Sequence, residues 1–429
     1  MQEQHIMPAL ARNAAGRLTL ETADLGNIAN EFGTPAYVMS EATVVNNCRA
    51  FIDAFDIHYG DNFTVAYASK AFSCKEIYRI VHREGLGVDV VSGGELYTAL
   101  SAGFPADKIY FHGNNKTAAE LQYALDADVR RIVVDNETEL ELLSALTDKP
   151  LDISVRLCPR IEAHTHEFVQ TGQLDSKFGV DIQNSDAFLE RVLALPNINL
   201  VGIHCHIGSQ IFDAEPFAEI IKKFVAHCAH WRNKYGVIIT EMNLGGGFGI
   251  SYTNSDTPRP IADIVRETCE HMKSACAAHN YPLPHIVVEP GRAIVGNAGL
   301  TLYTVGNVKN VPGVRTYIAL DGGLTDNPRY ALYQAEHFPL TVSSENGDRK
   351  PVTLAGRNCE TGDLLAENVP LAPVKPGERI ALLSTGAYTY SMASHYNRIP
   401  KPPVIMITNG KTRVIINRET YQDITRQDI

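Results

Sequence analysis

Short apolar, β-branched runs alternate with segments of helical period between Asn62 and Pro290. The extended runs fall at Phe63–Ala68, Val88–Val91, Ile109–His112, Arg131–Val134, Ile153–Leu157, Leu200–Cys205, Ile238–Leu244 and Ile286–Val288. Between them, Cys74–Glu84, Gly94–Ala102, Thr117–Ala127 and Phe217–Tyr235 repeat apolar residues at helical spacing. Strands that alternate with helices predict a parallel sheet, and eight such units predict a closed (β/α)8 barrel of the TIM type, an α/β fold. The alternation stops near residue 292. Beyond it, Tyr317–Leu320, Val352–Ala355, Arg379–Leu383, Val404–Thr408 and Arg413–Ile416 are separated by Gly, Pro and Asn turns. That pattern predicts a second, mostly antiparallel β domain. Residues 17–40 hold short extended stretches, including Thr34-Pro-Ala-Tyr-Val-Met, and a helical pattern follows over Glu41–Phe55. The expected division is a barrel over 35–290 and a β-rich domain built from 1–34 with 291–429.

Composition narrows the class. The chain has 429 residues, too many for one compact core. Hydrophobic residues make up 45% and charged residues 20%, as in ordinary globular domains. A net charge of −11 disfavours nucleic acid and anionic membrane as partners. No apolar run approaches the roughly 18 residues of a membrane span, and the first residues carry no signal-peptide pattern. The eight cysteines are scattered, with no Cys-x-x-Cys pair, which argues against zinc and disulfide frameworks and for a cytoplasmic protein with reduced thiols.

A parallel barrel gathers its strand C-termini at one mouth, so polar groups at those ends are the candidate chemistry. Lys70 ends the first strand. A desolvated amine there would be a nucleophile for a carbonyl, and the plain alternative is a lysine reaching from a strand end into solvent. His204 and His206 end the sixth strand on one side of it, followed by Ser209. A zinc site would need further ligands at matching spacing, and none stands out. An imidazole over a planar cofactor is one reading, and a satisfied core histidine is the other. Gly245-Gly246-Gly247 follows the seventh strand, where consecutive glycines let backbone N–H groups approach a phosphate, or simply make a tight turn. Glu289-Pro290-Gly291-Arg292 closes the eighth. A carboxylate there can keep a pyridine nitrogen protonated, Gly291 can offer an N–H, and a surface Glu–Arg pair is the bland alternative. Amine, imidazole, glycine loop and carboxylate together describe a pocket for pyridoxal 5′-phosphate.

Nine segments in order resemble the diaminopimelate decarboxylases, within the alanine-racemase-like (fold type III) pyridoxal-phosphate enzymes. They are YASKAF, FHGNNK, EAHTHEFVQTGQLDSKFG, GIHCHIGSQIF, MNLGGGFGI, EPGRAIV, DGGLTDNPRYALY, CETGD and GAYTYSMASHYN, and the resemblance runs from about Gly33 to about Asn397. The resemblance implies that Lys70 condenses with the cofactor aldehyde and that His206 stacks on its ring. It implies that Ser209, Gly245, Gly246, Gly247 and Gly291 hold the phosphate, and that Glu289 meets the pyridine nitrogen. Arg292, Arg329 and Tyr333 resemble a clamp for a substrate carboxylate, Glu360 a reader of a distal ammonium, and Tyr388 a neighbour of both cofactor and substrate. Cys359 resembles a proton donor delivered from a second subunit, so a homodimer with shared sites is implied. The implied reaction is decarboxylation of meso-2,6-diaminopimelate to L-lysine and carbon dioxide, the last step of lysine biosynthesis, with no metal.

Three positions depart from the family pattern: Gly-Arg-Asn precedes Cys359, Thr361 stands where serine is commoner, and Tyr330 stands where a proline often follows the arginine. The last change is expected to alter the stiffness of its loop. Rival readings on the same fold are an ornithine or arginine decarboxylase and a racemase, and a non-catalytic barrel is the rival of another class. Ornithine lacks a distal carboxylate, so an arginine clamp would repel its ammonium. A polar, glycine-containing stretch near Glu162–Lys177, with His164 and His166, is expected to be a loop near the site.

Overall fold

A computed structural model describes residues 2–160, 176–345 and 347–429. The loop expected near Glu162–Lys177, His164 and His166 included, lies outside the described residues but for its last two positions. The chain divides into two units, one of residues 47–249 with 258–291, the other of residues 1–46, 250–257 and 292–429.

The first unit is the barrel. Its eight strands, among the described residues, are Phe63–Ala68, Gly87–Val90, Ile109–Phe111, Arg131–Val134, Leu151–Cys158, Ile198–His204, Glu241–Asn243 and His285–Val288. Each pairs in parallel with the next, and the eighth pairs with the first, which closes the ring. The second, third, fourth and seventh strands are buried at every residue, as parallel strands covered on both faces must be. The helices start on side-chain caps supplied by the strand-to-helix loops. Ser92 accepts from Glu95 N, Asn136 from Glu139 N, and Thr117 forms a capping box with Glu120. At the strand starts, Glu241 is buried and meets Arg131 Nε at 3.2 Å, with Tyr110 and Ser154 hydroxyls at 3.3 Å.

The second unit is a mixed sheet. Its path runs Leu364–Leu371, Lys350–Ala355, Arg315–Leu320, Gly299–Val311, Ala36–Ser40, Val404–Thr408 and Lys411–Ile416. Arg379–Leu382 pairs with the long Gly299–Val311 strand and with Pro339–Thr341. Two pairs are parallel and the rest antiparallel, in line with the mostly antiparallel expectation. The stretch before Thr34 makes a small sheet of its own, Leu10–Arg12, Leu18–Leu20 and Ala23–Asp24. The boundary drawn from sequence at residue 35 moves. Ala36–Ser40 is buried throughout and pairs with Gly299–Leu302 on one side and Val404–Ile407 on the other, so it belongs to this sheet. Its local pattern is simply extended and apolar, and only long-range pairing decides which sheet takes it.

Candidate active site

In the barrel unit, Lys70, His206, Gly245–Gly247, Glu289 and Gly291 all follow strand C-termini and so share the mouth. Glu289 is buried at its centre. Asn243 Nδ2 donates to its Oε1 at 2.6 Å, His112 Nε2 lies 2.8 Å from the same oxygen, and His204 Nε2 meets Oε2 at 3.2 Å. Burial opposes charge on Glu289, but the contacts with His112 and His204 hold its pKa well below the ordinary carboxylate value. Burial pushes His204 down to about 3, so that imidazole is neutral. Asp89, on the second strand, goes the other way: burial lifts it to about 6, against the pull of His112.

Asn243 also fixes the glycine loop. Its Oδ1 accepts Gly245 N–H at 2.9 Å, and Gly246 N–H donates to His206 Nδ1 at 3.3 Å. The loop can take only glycine. A Cβ on Gly245 would lie 2.3 Å from the Cys205 carbonyl oxygen, and one on Gly246 would lie 2.2 Å from that of Glu289. Gly245 and Gly247 also have φ of +71° and +104°. Among the described residues the N–H groups of Gly247 and Gly291 have no protein acceptor. Ser209 is half-buried beyond His206. Burial, then the Lys70 charge, lowers the His206 pKa far below its usual value, so a neutral ring lies near the amine. Lys70 itself sits in a short 3-10 turn, Ser69–Ala71, and is exposed, where the sequence led us to expect a desolvated amine. An amine in reach of solvent, a neutral imidazole, open N–H donors and an ionised buried carboxylate fit a phosphorylated pyridine aldehyde.

His112 and Asp89 are buried beside Glu289, with His112 Nε2 4.0 Å from Asp89 Oδ1. Sequence reading missed the roles of His112, Asp89 and Asn243. Their signal was a polar residue interrupting or ending a β-branched run.

The second unit holds a different cluster. Arg292 and Arg329 are both buried. The Arg292 fork donates to the Tyr252 hydroxyl and lies 5.4 Å from the Tyr252 ring and 4.9 Å from that of Tyr388. Arg329 lies 5.8 Å from Tyr252, 5.6 Å from Tyr388 and 5.9 Å from the exposed Tyr333. Arg329 makes no ion pair among the described residues, and burial lowers its pKa. Tyr388 is held at φ +58°, a conformation that side chains other than glycine rarely adopt. Tyr330 lies not in a loop but in a short helix, Arg329–Tyr333, and tethers it as a proline could not, since its hydroxyl donates to Glu367 Oε2 at 2.9 Å.

Cys359 and Glu360 stand apart in an exposed turn. Cys359 N–H donates to Asn397 Oδ1 at 2.7 Å. Asp363 pins the turn by accepting from Asn358 N at 2.6 Å, and accepts from Leu324 N at 2.6 Å in the loop that leads to Arg329. Neither residue forms an ion pair among the described residues.

Comparison with known proteins agrees with the barrel chemistry. Residues 41–296 match the family model described as pyridoxal-dependent decarboxylase, pyridoxal binding domain. The chain is 45% identical to the diaminopimelate decarboxylase of Bacillus subtilis (strain 168), over 97% of this chain and 96% of that protein. It is 44% identical to the diaminopimelate decarboxylase of Halalkalibacterium halodurans, over 97% and 96% of the two chains. A crystal structure of diaminopimelate decarboxylase from M. jannaschii in complex with L-lysine superposes with a TM-score of 0.91, at 33% identity, over 98% of both chains.

Proposed function

The chain belongs to the diaminopimelate decarboxylase family of pyridoxal-phosphate-dependent enzymes, and we propose a division of that family's reaction among its residues. The enzyme decarboxylates meso-2,6-diaminopimelate to L-lysine and carbon dioxide, the last step of lysine biosynthesis. Pyridoxal phosphate, when bound, supplies an electron sink for the pair left behind as carbon dioxide departs.

Lys70 is the amine that holds the cofactor aldehyde and later releases product. Gly245, Gly246, Gly247, Gly291 and Ser209 hold the phosphate, with Tyr388 beside it, and His206 covers the ring face. Gly245 and Gly246 act by allowing close approach, since their N–H groups serve Asn243 and His206. Glu289 keeps the pyridine nitrogen protonated, a task that needs an ionised carboxylate, and its contacts with His112 and His204 supply one. Arg292, Arg329 and Tyr333 hold the carboxylate that is not lost, and Glu360 reads the ammonium beside it. Cys359 donates the proton to the carbon that has lost carbon dioxide. It does so in the site of a second copy of the chain, so the working unit is a homodimer. Eight cysteines outside any disulfide suit a reducing compartment, the cytoplasm.

Arg329 carries the substrate reading. A buried guanidinium among aromatic rings, with no ion pair among the described residues, suits an incoming carboxylate and penalises a ligand with an ammonium there. The test is product formation by the purified protein with added pyridoxal phosphate, given meso-diaminopimelate, L-ornithine and L-arginine in parallel. Lysine and carbon dioxide from diaminopimelate alone are expected. Faster turnover of ornithine or arginine would overturn the carboxylate assignment. For the shared sites, Lys70→Ala and Cys359→Ala chains are mixed after reversible dissociation. Each is inactive alone, and random reassortment should recover about a quarter of the normal activity, because half the dimers then hold one intact site of two. No recovery would refute the exchange of Cys359.

A further inference from the structure

Tyr252 lies against both arginines of the cluster. It is buried, and its backbone is fixed by Asp256, whose Oδ2 accepts from Tyr252 N and Thr253 N at 2.8 Å each. Its hydroxyl accepts from the Arg292 fork. Its ring lies 5.4 Å from the Arg292 guanidinium carbon and 5.8 Å from that of Arg329, both within cation–π reach. The edge of the ring meets His337, centroid to centroid 5.2 Å at 82°. His337 is buried, and its Nδ1 lies 2.9 Å from the Leu383 carbonyl oxygen, so Nδ1 carries the proton and donates. Burial, reinforced by the Arg329 charge, holds His337 at about 3, so it adds no third positive charge beside the pair.

Two like charges side by side repel each other, and the quadrupoles of the Tyr252 and Tyr388 rings, each within reach of both, are set against the repulsion. The hydroxyl does a second job by fixing how the Arg292 fork is turned. We propose that Tyr252 is a positioning residue for the substrate's retained carboxylate: it aims the Arg292 fork through its hydroxyl and holds both guanidiniums through its ring, so that they meet one planar anion. This rests on the reading that Arg292 and Arg329 take that carboxylate.

The experiment uses the pyridoxal-phosphate-loaded enzyme, its Tyr252→Phe variant and its Tyr252→Leu variant. Steady-state kinetics with meso-diaminopimelate are paired with calorimetric binding of L-lysine and of cadaverine. Lysine keeps the carboxylate in question, and cadaverine lacks it. Unaltered enzyme that binds lysine no better than cadaverine would sink the clamp reading itself, whatever the variants do. Given a preference for lysine, Tyr252→Phe is expected to raise KM and the lysine Kd about 5–10-fold, the net effect of one lost hydrogen bond. kcat and cadaverine binding should stay within about two-fold. Tyr252→Leu also removes the ring and should shift the same two quantities further. If Leu does not fold at this buried position, the Phe variant decides. An unchanged lysine-to-cadaverine ratio in Tyr252→Phe, or a fall in kcat at constant KM, overturns the proposal.

Discussion

Two of the glutamates that the barrel unit buries lie at opposite ends of the strands and are treated differently. Glu241, at the start of the seventh strand, faces a fixed cation, Arg131, with two hydroxyls filling its remaining positions. Glu289, just past the end of the eighth strand, has two imidazoles and an amide around it. The first arrangement closes a charge within the protein. The second keeps a carboxylate ionised with hydrogen-bonding neighbours, of which His204 at least is neutral, and so keeps its negative charge available for a positive partner from outside. Stability sits at the bottom of such a barrel and chemistry at its mouth, and these two side chains show what that means in terms of partners.

Glu241→Gln should break the comparison most visibly. It leaves Arg131 with the Asp152 carbonyl at 3.1 Å and a longer contact to the more exposed Asp152 carboxylate at 3.9 Å, so a loss of up to about 3 kcal/mol is expected for the broken buried pair. Chemical denaturation should show that loss, while kcat per folded molecule stays near normal. A stability change under 1 kcal/mol would mean that the Arg131 contact is incidental. Glu289→Gln should give the mirror result. We expect a drop in kcat of about 10²–10³-fold, the scale for removing one preorganised electrostatic group, with a smaller change in denaturation midpoint. A variant that unfolds but retains kcat would reverse the assignment of the two glutamates.

Arg329→Ala sharpens the contrast from the other unit, where a buried charge has no ion pair among the described residues. It should raise KM for diaminopimelate by about 2–3 kcal/mol in binding terms, some 30–150-fold, and leave cofactor affinity intact. Loss of the cofactor as well would count against its role. The smallest effect is expected at Asp326. It is buried, accepts from the Tyr303 hydroxyl and from Gly323 N, and burial pushes it up to about 7. A carboxyl with a raised folded pKa favours the native state at low pH. As pH climbs from about 4 to about 7 the unfolded chain gives up its proton first, and stability falls. Asp326→Asn should therefore flatten the dependence of Tm on pH over that window and gain on the unaltered chain at its upper end. Parallel Tm curves would show that the residue does not titrate there.

Much of this was legible in the sequence. All eight barrel strands stood out, because doubly covered strands are continuous β-branched runs whose ends are marked by polar groups. The candidate groups at those ends stood out by position, while the roles expected of them came from the resemblance. The long strand Gly299–Val311 was not legible, since its second half carries the exposed polar residues Asn307, Lys309 and Asn310 and resembles a loop. Ala36–Ser40 read as extended, but no local feature says which sheet receives it. Lys116 looks like any lysine in the run His112–Lys116. The fold buries it, with its ammonium 2.7 Å from Glu139 and bonded to the carbonyls of Gly113 and Val133. Tyr252 and His337 lie 85 residues apart, and their contact exists only after folding. Sequence shows which groups end a strand, but not which of them meet a cation.

Seven of the eight cysteines are buried and Cys359 alone is exposed. To an alkylating reagent or a mild oxidant, the folded chain therefore presents a single address. Titration under native conditions should count one fast thiol per chain, and a fluorophore or cross-linker could be placed there without altering the sequence. The enzyme would also be sensitive to storage in air, because the thiol most open to damage is the one assigned to deliver the proton.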